Sequence, residues 1–240
     1  MIVILNTPEH IGIIPDGNRR LARRLLQKPW KGHEWGFEKI KKIIEWSREF
    51  GIKVITIYTL SLENLKGRSK RELNYLFSIA RKELDHIMEN RDNIIHRNRV
   101  NIKFVGRLDM LPKDIQEKMK KVSELTKRYS KQYVNLAIAY GGRQDIVNAV
   151  KKIASDVSMG KLLPGRINEK LFRTYLWTNG QKDPDLIIRT GGEKRLSNFL
   201  TFQSTYSELV FVDCLWPEFS KKDFVNAIED YKQRKRKFGK

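Results

Sequence analysis

Cysteine is almost absent from this chain, since Cys214 is the only one among 240 residues. One cysteine makes no internal disulfide and no cysteine-based zinc site, which excludes disulfide-framework domains and zinc ribbons. A reducing compartment suits such a sequence, so we expect a cytoplasmic protein. Long hydrophobic runs are absent too: no apolar stretch approaches the roughly 20 residues of a membrane-spanning helix, and residues 1–10 lack the basic segment of a signal peptide.

Several motifs of nucleotide-binding and hydrolytic enzymes are also missing. No G-x-G-x-x-G follows a predicted strand, and the glycine pair Gly160 and Gly165 continues with Arg166 instead of the Lys-Ser/Thr of a P-loop. The chain contains no H-E-x-x-H zinc helix and no G-x-S-x-G nucleophile elbow. These absences argue against dinucleotide-binding enzymes of the Rossmann type, P-loop NTPases, zinc metalloproteases and serine hydrolases with a nucleophile elbow.

Positive charge dominates the composition, with 48 Lys and Arg against 28 Asp and Glu, a net charge of +20 and a pI near 10.0. Such a balance predicts an anionic partner: nucleic acid, a phosphorylated ligand or an anionic membrane surface. Hydrophobic residues make up 40% of the chain, which is enough for one sizeable core. We therefore expect a folded protein that binds an anion.

Short apolar runs alternate with amphipathic helical patterns along the chain. No linker or repeat divides residues 1–240, so we predict a single α/β domain with a six-stranded, mostly parallel sheet flanked by helices. Ligands of such sheets bind beyond the carboxyl ends of the strands, which makes the residues after each strand the candidates. The predicted strands, continuous enough to be buried on both faces, are His10–Ile14, Val54–Leu60, Asn101–Val105, Val134–Tyr140, Asp185–Thr190 and Leu209–Asp213.

The first predicted strand is followed by P-D-G-N-R-R, which begins at Pro15. Asp16, beside Arg19 and Arg20, could hold a phosphate together with Mg²⁺, because this ion takes one or two carboxylates and phosphate oxygens. Taken alone, the segment is explained more simply as an Asp-Gly turn beside solvated arginines.

The fifth predicted strand ends in R-T-G-G-E-K-R-L-S-N, the strongest anion-binding signal in the chain. Arg189, Arg195 and Ser197 share this one loop, and hydrogen bonds from arginine to phosphate are about twice as strong as neutral ones. The alternative, that this loop is merely basic and solvated and binds no anion, is the weaker interpretation here.

Three further signals leave two interpretations each. The second strand leads into S-L-E-N and a basic stretch, which is either a mobile loop over a ligand or a plain connection. His33, among lysines, is either a structural histidine or a group that donates to phosphate and moves a proton. Glu208 is either a metal ligand or an ion-pair partner of the surplus arginines.

Taken in order, the motifs resemble those of the cis-prenyltransferases, the undecaprenyl diphosphate synthase family. The resemblance runs from about His10 to Gly239, and P-D-G-N-R-R is closest to the archaeal branch. The matching segments are H-I-G-I-I-P-D-G-N-R-R, G-H, S-L-E-N, Y-G-G-R-Q-D-I, D-L-I-I-R-T-G-G-E-K-R-L-S-N-F-L, Y-S-E-L-V-F and L-W-P-E-F.

This resemblance implies an enzyme that condenses isopentenyl diphosphate with an allylic diphosphate in repeated, Mg²⁺-dependent steps. The starter would be geranylgeranyl or farnesyl diphosphate, and the product a long-chain (Z)-polyprenyl diphosphate, the precursor of a glycosyl carrier lipid. The family also implies a homodimer. Because the chain is strongly basic, we also expect peripheral contact with an anionic membrane. No specific nucleic acid is expected, because no motif for one is present.

The resemblance also implies roles for individual residues. Asp16 and Glu208 would bind the metal, and Asp16 would assist departure of the diphosphate. Asn64, with His33 as a relay, would receive the proton lost after bond formation. The residues expected to bind substrate are Gly17, Asn18, Arg19, Arg20, Leu21, His33, Ser61, Leu62, Glu63, Leu65, Arg68, Arg189, Arg195, Leu196 and Ser197.

Four residues depart from the bacterial pattern of the family: Leu21, Pro29, Leu65 and Gly67. They fall around the allylic site and its loop, so they bear on the starter substrate rather than on the reaction class. A growing hydrocarbon also needs an apolar tunnel. One wall is predicted to be the helical stripe Leu73, Leu76, Phe77, Ala80, Leu84 and Met88, for which ordinary core packing is the alternative.

Two other functions compete with catalysis. A nucleic-acid-binding protein would explain the net charge, and a non-catalytic accessory subunit would explain the family resemblance. Accessory members typically lack the aspartate of the D-G-N turn or the arginines of the R-T-G-G loop. This chain retains Asp16, Asn64, Arg189, Arg195 and Glu208, which favours a working enzyme.

Overall fold

The computed structural model describes residues 7–28 and 30–234. Its strands are β1 (His10–Ile14), β2 (Val54–Ser61), β3 (Val100–Val105), β4 (Gln132–Tyr140), β5 (Leu186–Arg189) and β6 (Glu208–Phe211). These described strands form one sheet in the order β3-β4-β2-β1-β5-β6, and each neighbouring pair is parallel. The predicted α/β class and six-stranded parallel sheet are confirmed.

Helices fill the connections between the strands. They are α1 (Asn18–Arg24), α2 (Lys31–Glu49), α3 (Leu62–Gly67), α4 (Lys70–Glu89), α5 (Ile94–Arg97), α6 (Lys113–Thr126), α7 (Gly142–Ser158), α8 (Glu169–Tyr175) and α9 (Lys221–Gln233). Residues of α2, α4, α6 and α9 join the core on one face of the sheet, and segment 196–200 with Trp177 packs on the other. Among the described helices, none combines the length and apolar character needed to cross a membrane.

Two short helices occupy segments that the sequence suggested as turns or loops. The P-D-G-N-R-R turn runs directly into α1, and S-L-E-N opens α3. Ser61 caps α3, because its Oγ accepts a hydrogen bond from the backbone N–H of Asn64 at 3.0 Å. The segment after β2 therefore begins with a short helix and not with a loop.

Serine residues also cap the amino ends of two longer helices. At α9 the capping box is complete: Ser220 Oγ accepts from the Asp223 backbone, and the Asp223 carboxylate accepts from the Ser220 backbone. At α4 Ser69 Oγ accepts from the Glu72 backbone at 3.2 Å. The Glu72 carboxylate instead points toward His33, which lies on α2.

A row of buried polar side chains crosses the sheet near its amino end. His10 on β1 contacts Lys182 O through Nδ1 at 2.6 Å and Thr56 Oγ1 on β2 through Nε2 at 2.8 Å. Asn135 on β4 donates to Thr56 Oγ1 at 3.0 Å and to Gln181 Oε1 at 2.6 Å. Burial lowers the pKa of His10 to about 4, so the ring is neutral and serves as both donor and acceptor.

Candidate active site

A cavity of about 730 Å³ opens at the carboxyl ends of β1, β2 and β5. The loops that follow these three strands face the same space, together with side chains from α1, α2 and α3. Its lining is Ile14, Pro15, Asp16, Gly17, Asn18, Arg19, Arg20, Arg23, His33, Tyr58, Thr59, Ser61, Glu63, Asn64, Arg68, Arg189, Glu193, Arg195, Ser197 and Asn198.

Asp16 is held between two arginines at this cavity. Its Oδ2 accepts a hydrogen bond from Arg189 Nη2 at 2.8 Å, and its Oδ1 lies 3.2 Å from Arg20 Nη2. The main chain is fixed as well, because the Asp16 carbonyl oxygen accepts from Thr190 Oγ1 at 2.8 Å and from the Trp216 N–H at 2.9 Å. The side chain of Asp16 remains 30% exposed, which leaves room for a ligand.

Two glycines allow the close packing of this turn. Gly17 has a φ of 112°, and a Cβ there would lie only 2.9 Å from the Cα of Leu215. A Cβ on Gly32 would lie 2.0 Å from the carbonyl oxygen of Asn18. The first turn of α2, which carries His33, therefore packs directly against the segment that follows Asp16.

Arg189 is buried and organises the loop that follows β5. Besides its bond to Asp16, it donates from Nη1 to Ser197 Oγ at 2.8 Å and to the carbonyl oxygen of Arg195. Ser197 and Asn198 have positive φ values of 50° and 65°, so this loop doubles back on itself. One guanidinium thus connects the turn after β1 to the loop after β5.

The same loop is joined to α3 across the cavity. Asn198 Nδ2 donates to Glu63 Oε1 at 2.9 Å, and Tyr58 OH donates to the carbonyl oxygen of Ser197 at 3.3 Å. Arg195, in contrast, is exposed and pairs only with Glu193 among the described residues. A ligand could therefore bind the Arg195 guanidinium by displacing the exposed carboxylate of Glu193.

At the α1 and α3 side of the cavity lies an ionic cluster whose imidazole and carboxylate are buried. His33 Nε2 is 3.2 Å from Glu72 Oε1, Arg68 Nε is 3.4 Å from the same oxygen, and Arg19 Nη1 is 3.9 Å from Oε2. Burial lowers the pKa of His33, and the hydrogen bond to Glu72 opposes this effect. The pKa of Glu72 is lowered, first by the hydrogen bond from His33 and then by the two arginines against its own burial. At neutral pH the pair is an ionised carboxylate and a neutral imidazole.

A family model described as "Putative undecaprenyl diphosphate synthase" matches residues 14–239. The chain belongs to this family. The match includes the turn after β1, the segment after β2 and the loop after β5, which together supply most of the cavity lining. The resemblance drawn from the sequence motifs is confirmed.

Curated archaeal relatives of the synthase family cover nearly the whole chain. A protein of Methanopyrus kandleri is 48% identical over 97% of this chain and 85% of its own length. One of Thermococcus kodakarensis is 43% identical over 98% of this chain and 88% of its own length. Both are named tritrans,polycis-undecaprenyl-diphosphate synthase (geranylgeranyl-diphosphate specific).

Solved structures show the same fold. Lavandulyl diphosphate synthase from Lavandula x intermedia, in complex with dimethylallyl diphosphate, superposes with a TM-score of 0.90 at 36% identity, covering 98% of this chain and 99% of that one. A "probable undecaprenyl diphosphate synthase" from Campylobacter jejuni gives a TM-score of 0.79 at 32% identity over 98% and 100% of the two chains.

Four leucines expected to bind substrate do not line the cavity of this synthase-family chain. Leu21 and Leu62 are buried, at 7% and 5% exposed. Leu65 and Leu196 pack against the two hydrophobic clusters on either side of the sheet. These side chains therefore support the loops around the cavity, and in this structure they do not reach the polar space itself.

Glu208 lies at the other end of the sheet from Asp16. It begins β6 in register with Leu186, whereas Arg189 pairs with the end of β6, roughly 10 Å further along the strand direction. The Glu208 carboxylate accepts a hydrogen bond from Arg234 Nη1 at 2.9 Å. Within one chain the structure does not bring the two expected metal ligands together.

Several residues at the cavity were missed by sequence reasoning. Arg23 lies one turn beyond Arg20 on α1 and lines the cavity. Helical spacing puts these two arginines on one face, but the sequence suggested a turn here and not a helix. Tyr58 and Thr59 lie within β2, whereas the predicted site residues follow the ends of the strands. Glu72, which contacts His33, was not among the predicted site residues. Pro29 lies outside the described residues.

The cavity offers few of the ligands by which Mg²⁺, the ion expected in this family, could be held by the protein alone. Among the described residues, no group of three or more His, Cys, Asp or Glu side chains could hold a metal by itself. Asp16 offers a single, partly exposed carboxylate beside several arginines. Mg²⁺ commonly takes one or two carboxylates and completes its shell with substrate phosphates and water, so Asp16 suits the ion once a diphosphate is present.

Proposed function

We propose that this member of the undecaprenyl diphosphate synthase family is a cis-prenyltransferase. It condenses isopentenyl diphosphate repeatedly with an allylic diphosphate and forms a long-chain (Z)-polyprenyl diphosphate, the precursor of a glycosyl carrier lipid. The observation that carries the proposal is one cavity that gathers six arginines around a single aspartate. Geranylgeranyl diphosphate is the proposed starter, because the archaeal relatives are named as specific for it.

The allylic diphosphate is assigned to the α1 side of the cavity. Arg19, Arg20 and Arg23 project from one short helix, and Gly17 and Asn18 begin it. The side chains of Arg19 and Arg20 are 46% and 45% exposed, so their guanidiniums can turn toward a diphosphate. Forked arginine donors match phosphate geometry, and in a shielded cleft they stabilise the charge that builds on a departing diphosphate.

Isopentenyl diphosphate is assigned to the loop after β5. Arg195 presents an exposed guanidinium there, and Ser197 offers its hydroxyl beside the buried Arg189. Because Arg189 contacts both Ser197 and Asp16, the two diphosphate subsites share a wall. This arrangement would hold the two reactants side by side, which removes much of the entropic barrier to their reaction.

A bound Mg²⁺ would supply positive charge to the departing diphosphate. Asp16 would hold it together with diphosphate oxygens, which requires the carboxylate to loosen its contact with Arg20 or Arg189. A metal role for Glu208 depends on a second copy of the chain, since Glu208 lies at the opposite end of the sheet from Asp16 of its own chain.

The condensation breaks the allylic carbon–oxygen bond, and its electron pair leaves on the diphosphate. The electrons of the isopentenyl double bond form the new carbon–carbon bond, and loss of one proton restores a double bond. Asn64 and His33 face the cavity and are the proposed path for that proton. A neutral His33 is in the correct state to accept it.

The growing hydrocarbon is proposed to follow the inner face of α4. Leu73, Leu76 and Phe77 are only partly buried in the described chain, whereas Leu84 is 4% exposed. Partly buried apolar side chains such as these are suited to contact a prenyl chain, although Phe77 also packs against the core. Each five-carbon unit placed there would gain roughly 3 to 4 kcal/mol, at about 0.8 kcal/mol per buried CH₂.

The chain is further proposed to act as a cytoplasmic homodimer with peripheral membrane contact. Val147 and Val150 on α7 are each 53% exposed, and β6 lies at an edge of the sheet. Exposed apolar side chains and an unpaired strand edge are each features that favour pairing with a second copy. The net charge of +20 favours an anionic membrane surface, where a polyprenyl product would be delivered.

A radiolabelled assay tests the activity. Purified protein is mixed with labelled isopentenyl diphosphate, Mg²⁺ and, in separate reactions, geranyl, farnesyl and geranylgeranyl diphosphate. Products are extracted and sized by reversed-phase chromatography, with and without EDTA. We expect long-chain product that EDTA abolishes and that geranylgeranyl diphosphate primes best. No product from any starter, with folded protein and detergent present, would overturn the proposal in favour of an accessory subunit.

A further inference from the structure

Glu72 is a buried carboxylate outside the cavity lining that contacts three residues of that lining. Its side chain is 9% exposed, and its two oxygens face His33, Arg68 and Arg19 at 3.2, 3.4 and 3.9 Å. These partners come from α2, from the link between α3 and α4, and from α1. Among the described residues, Glu72 is thus the acidic group that connects α1, α2 and the link between α3 and α4 at this side of the cavity.

Helix capping does not explain this position. Glu72 is the third residue of α4, where a glutamate commonly reaches back to the N-cap backbone from an exposed position. Here Ser69 accepts from the Glu72 N–H, but the carboxylate is turned inward to His33. Burying a carboxylate is costly unless it is paired and hydrogen-bonded, so its inward orientation depends on these partners.

The distances assign the proton on the imidazole of His33. A carboxylate oxygen 3.2 Å from Nε2 is a hydrogen bond only if Nε2 carries the proton and donates it. Arg68 Nη1 lies 3.5 Å from the same nitrogen, at the outer limit of hydrogen bonding, and competes weakly. In the neutral ring the lone pair is then on Nδ1.

We propose that Glu72 is a positioning residue that fixes His33 in the tautomer whose Nδ1 accepts the proton released in each condensation. The inference rests on the proposed function and on the part of His33 in it. The isopentenyl unit loses a proton, Nδ1 gains it, and the resulting imidazolium donates to the Glu72 carboxylate until the proton passes to water. A carboxylate behind a histidine orients the ring and stabilises its protonated form.

The charges that face His33 determine what the loss of Glu72 would do. Burial lowers the pKa of His33 most, Glu72 on α4 raises it, and Arg68 and Arg19 on α1 lower it further. Replacing Glu72 by glutamine removes the group that raises the pKa and leaves both arginines. His33 in this variant should be a weaker base that becomes neutral at a lower pH.

The kinetic test compares Glu72→Gln with Glu83→Gln as the matched control. Glu83 lies on the same helix and forms an ion pair with Lys41 of α2 at 3.1 Å, but it does not line the cavity. For Glu72→Gln we expect kcat to fall about tenfold or more, with KM for both substrates within about threefold. The acidic limb of the pH profile of kcat should move to lower pH, and Glu83→Gln should match the wild type.

Two further results discriminate a positioning role from a structural one. In a His33→Asn background, Glu72→Gln should cause no additional loss of kcat, because its effect passes through His33. An unchanged pH profile, or a loss confined to KM or to the yield of folded protein, would overturn the inference while the proposed function stood.

The tautomer can also be measured without turnover. The chain has four histidines, so ¹⁵N spectra of the imidazole rings are tractable, and the His33 signals are those lost in His33→Asn. We expect protonated Nε2 and unprotonated Nδ1 above the pKa of the ring in the wild type. A ring protonated at Nδ1 would overturn the inference whether or not the protein forms product.

Discussion

Arg189 donates from Nη2 to Asp16 Oδ2 at 2.8 Å, although the two residues are 173 positions apart in the sequence. Arg20 lies 3.2 Å from the other carboxylate oxygen, so Asp16 is already paired with two cations. A divalent ion at Asp16 must compete with both. We therefore expect the metal to bind tightly only when a diphosphate draws at least one arginine away and contributes its own oxygens.

Replacement of Asp16 should remove activity without unfolding the protein. Asp16→Ala is expected to abolish measurable turnover, and Asp16→Asn to lower kcat by at least about 100-fold, because the amide retains an acceptor for Arg189 but no negative charge. Turnover is measured with the labelled assay, and folding by circular dichroism and thermal melting. Wild-type turnover in either variant would remove Asp16 from the mechanism.

Arg195→Ala should act mainly on isopentenyl diphosphate. Loss of a charge-assisted hydrogen bond of about 1.5 to 3 kcal/mol corresponds to a rise in KM of roughly 10- to 150-fold. The exposed neighbour Lys194 does not line the cavity, which makes Lys194→Ala the control. Initial rates are recorded against each substrate in turn. A rise confined to the KM of the allylic substrate would reverse the assignment of the two subsites.

Adjacent arginines on α1 provide a matched test of the allylic subsite. Arg23 lines the cavity, whereas Arg24 pairs with Glu218 outside it. Arg23→Ala should raise KM for geranylgeranyl diphosphate about tenfold or more and leave KM for isopentenyl diphosphate nearly unchanged. Arg24→Ala should leave both constants within about twofold. Equal effects of the two substitutions would indicate that only the net charge of α1 matters.

His10 should make the stability of the protein depend on pH. Its pKa is about 4 in the fold, because of burial, against 6.5 for an ordinary histidine, so the unfolded chain binds the proton more tightly. The free energy of unfolding should therefore fall as the pH decreases from about 6.5 to about 4. A pKa difference of about 2.5 corresponds to roughly 3 kcal/mol.

Denaturant unfolding at several pH values checks this expectation. His10→Gln removes the titrating ring but keeps a side chain able to donate and accept hydrogen bonds. The wild type should lose more stability than the variant between pH 6.5 and 4.5, because the carboxylates common to both chains cancel in the comparison. Parallel pH curves for the two proteins would exclude His10 as the source of the effect.

The fold and the place of the cavity followed from local sequence patterns. Continuous apolar runs such as Val54–Leu60 report strands buried on both faces, and their alternation with amphipathic stripes is sufficient to predict a parallel sheet. Parallel strands place the residues after their carboxyl ends at one edge. For this reason Asp16 and Ser197 could be expected in one place without knowledge of any distance.

The side-chain contacts at this edge of the sheet could not be predicted from the sequence. The inward turn of Glu72 depends on His33, a residue 39 positions away, and a capping pattern predicts only its backbone contact. The ion pair of Glu208 illustrates the same limit: its partner, Arg234, lies 26 positions away. Arg189 was predicted as a ligand for isopentenyl diphosphate, but most of its donors are engaged by Asp16, Ser197 and the main chain.

The polar row of His10, Thr56 and Asn135 has a consequence for folding specificity. Each of these side chains is at most 1% exposed and finds its partner on the neighbouring strand. A sheet whose faces are both apolar would tolerate a slip of two residues along any strand, since the same side chains would still be buried. Such a slip here would leave a buried imidazole, hydroxyl or amide without its hydrogen-bond partner. Each group left unpaired would cost about 1 to 3 kcal/mol. The hydrogen bonds at the amino ends of β1, β2 and β4 thus fix the register of these strands, and with it the positions of Asp16 and Asn64, which follow β1 and β2 and line the cavity.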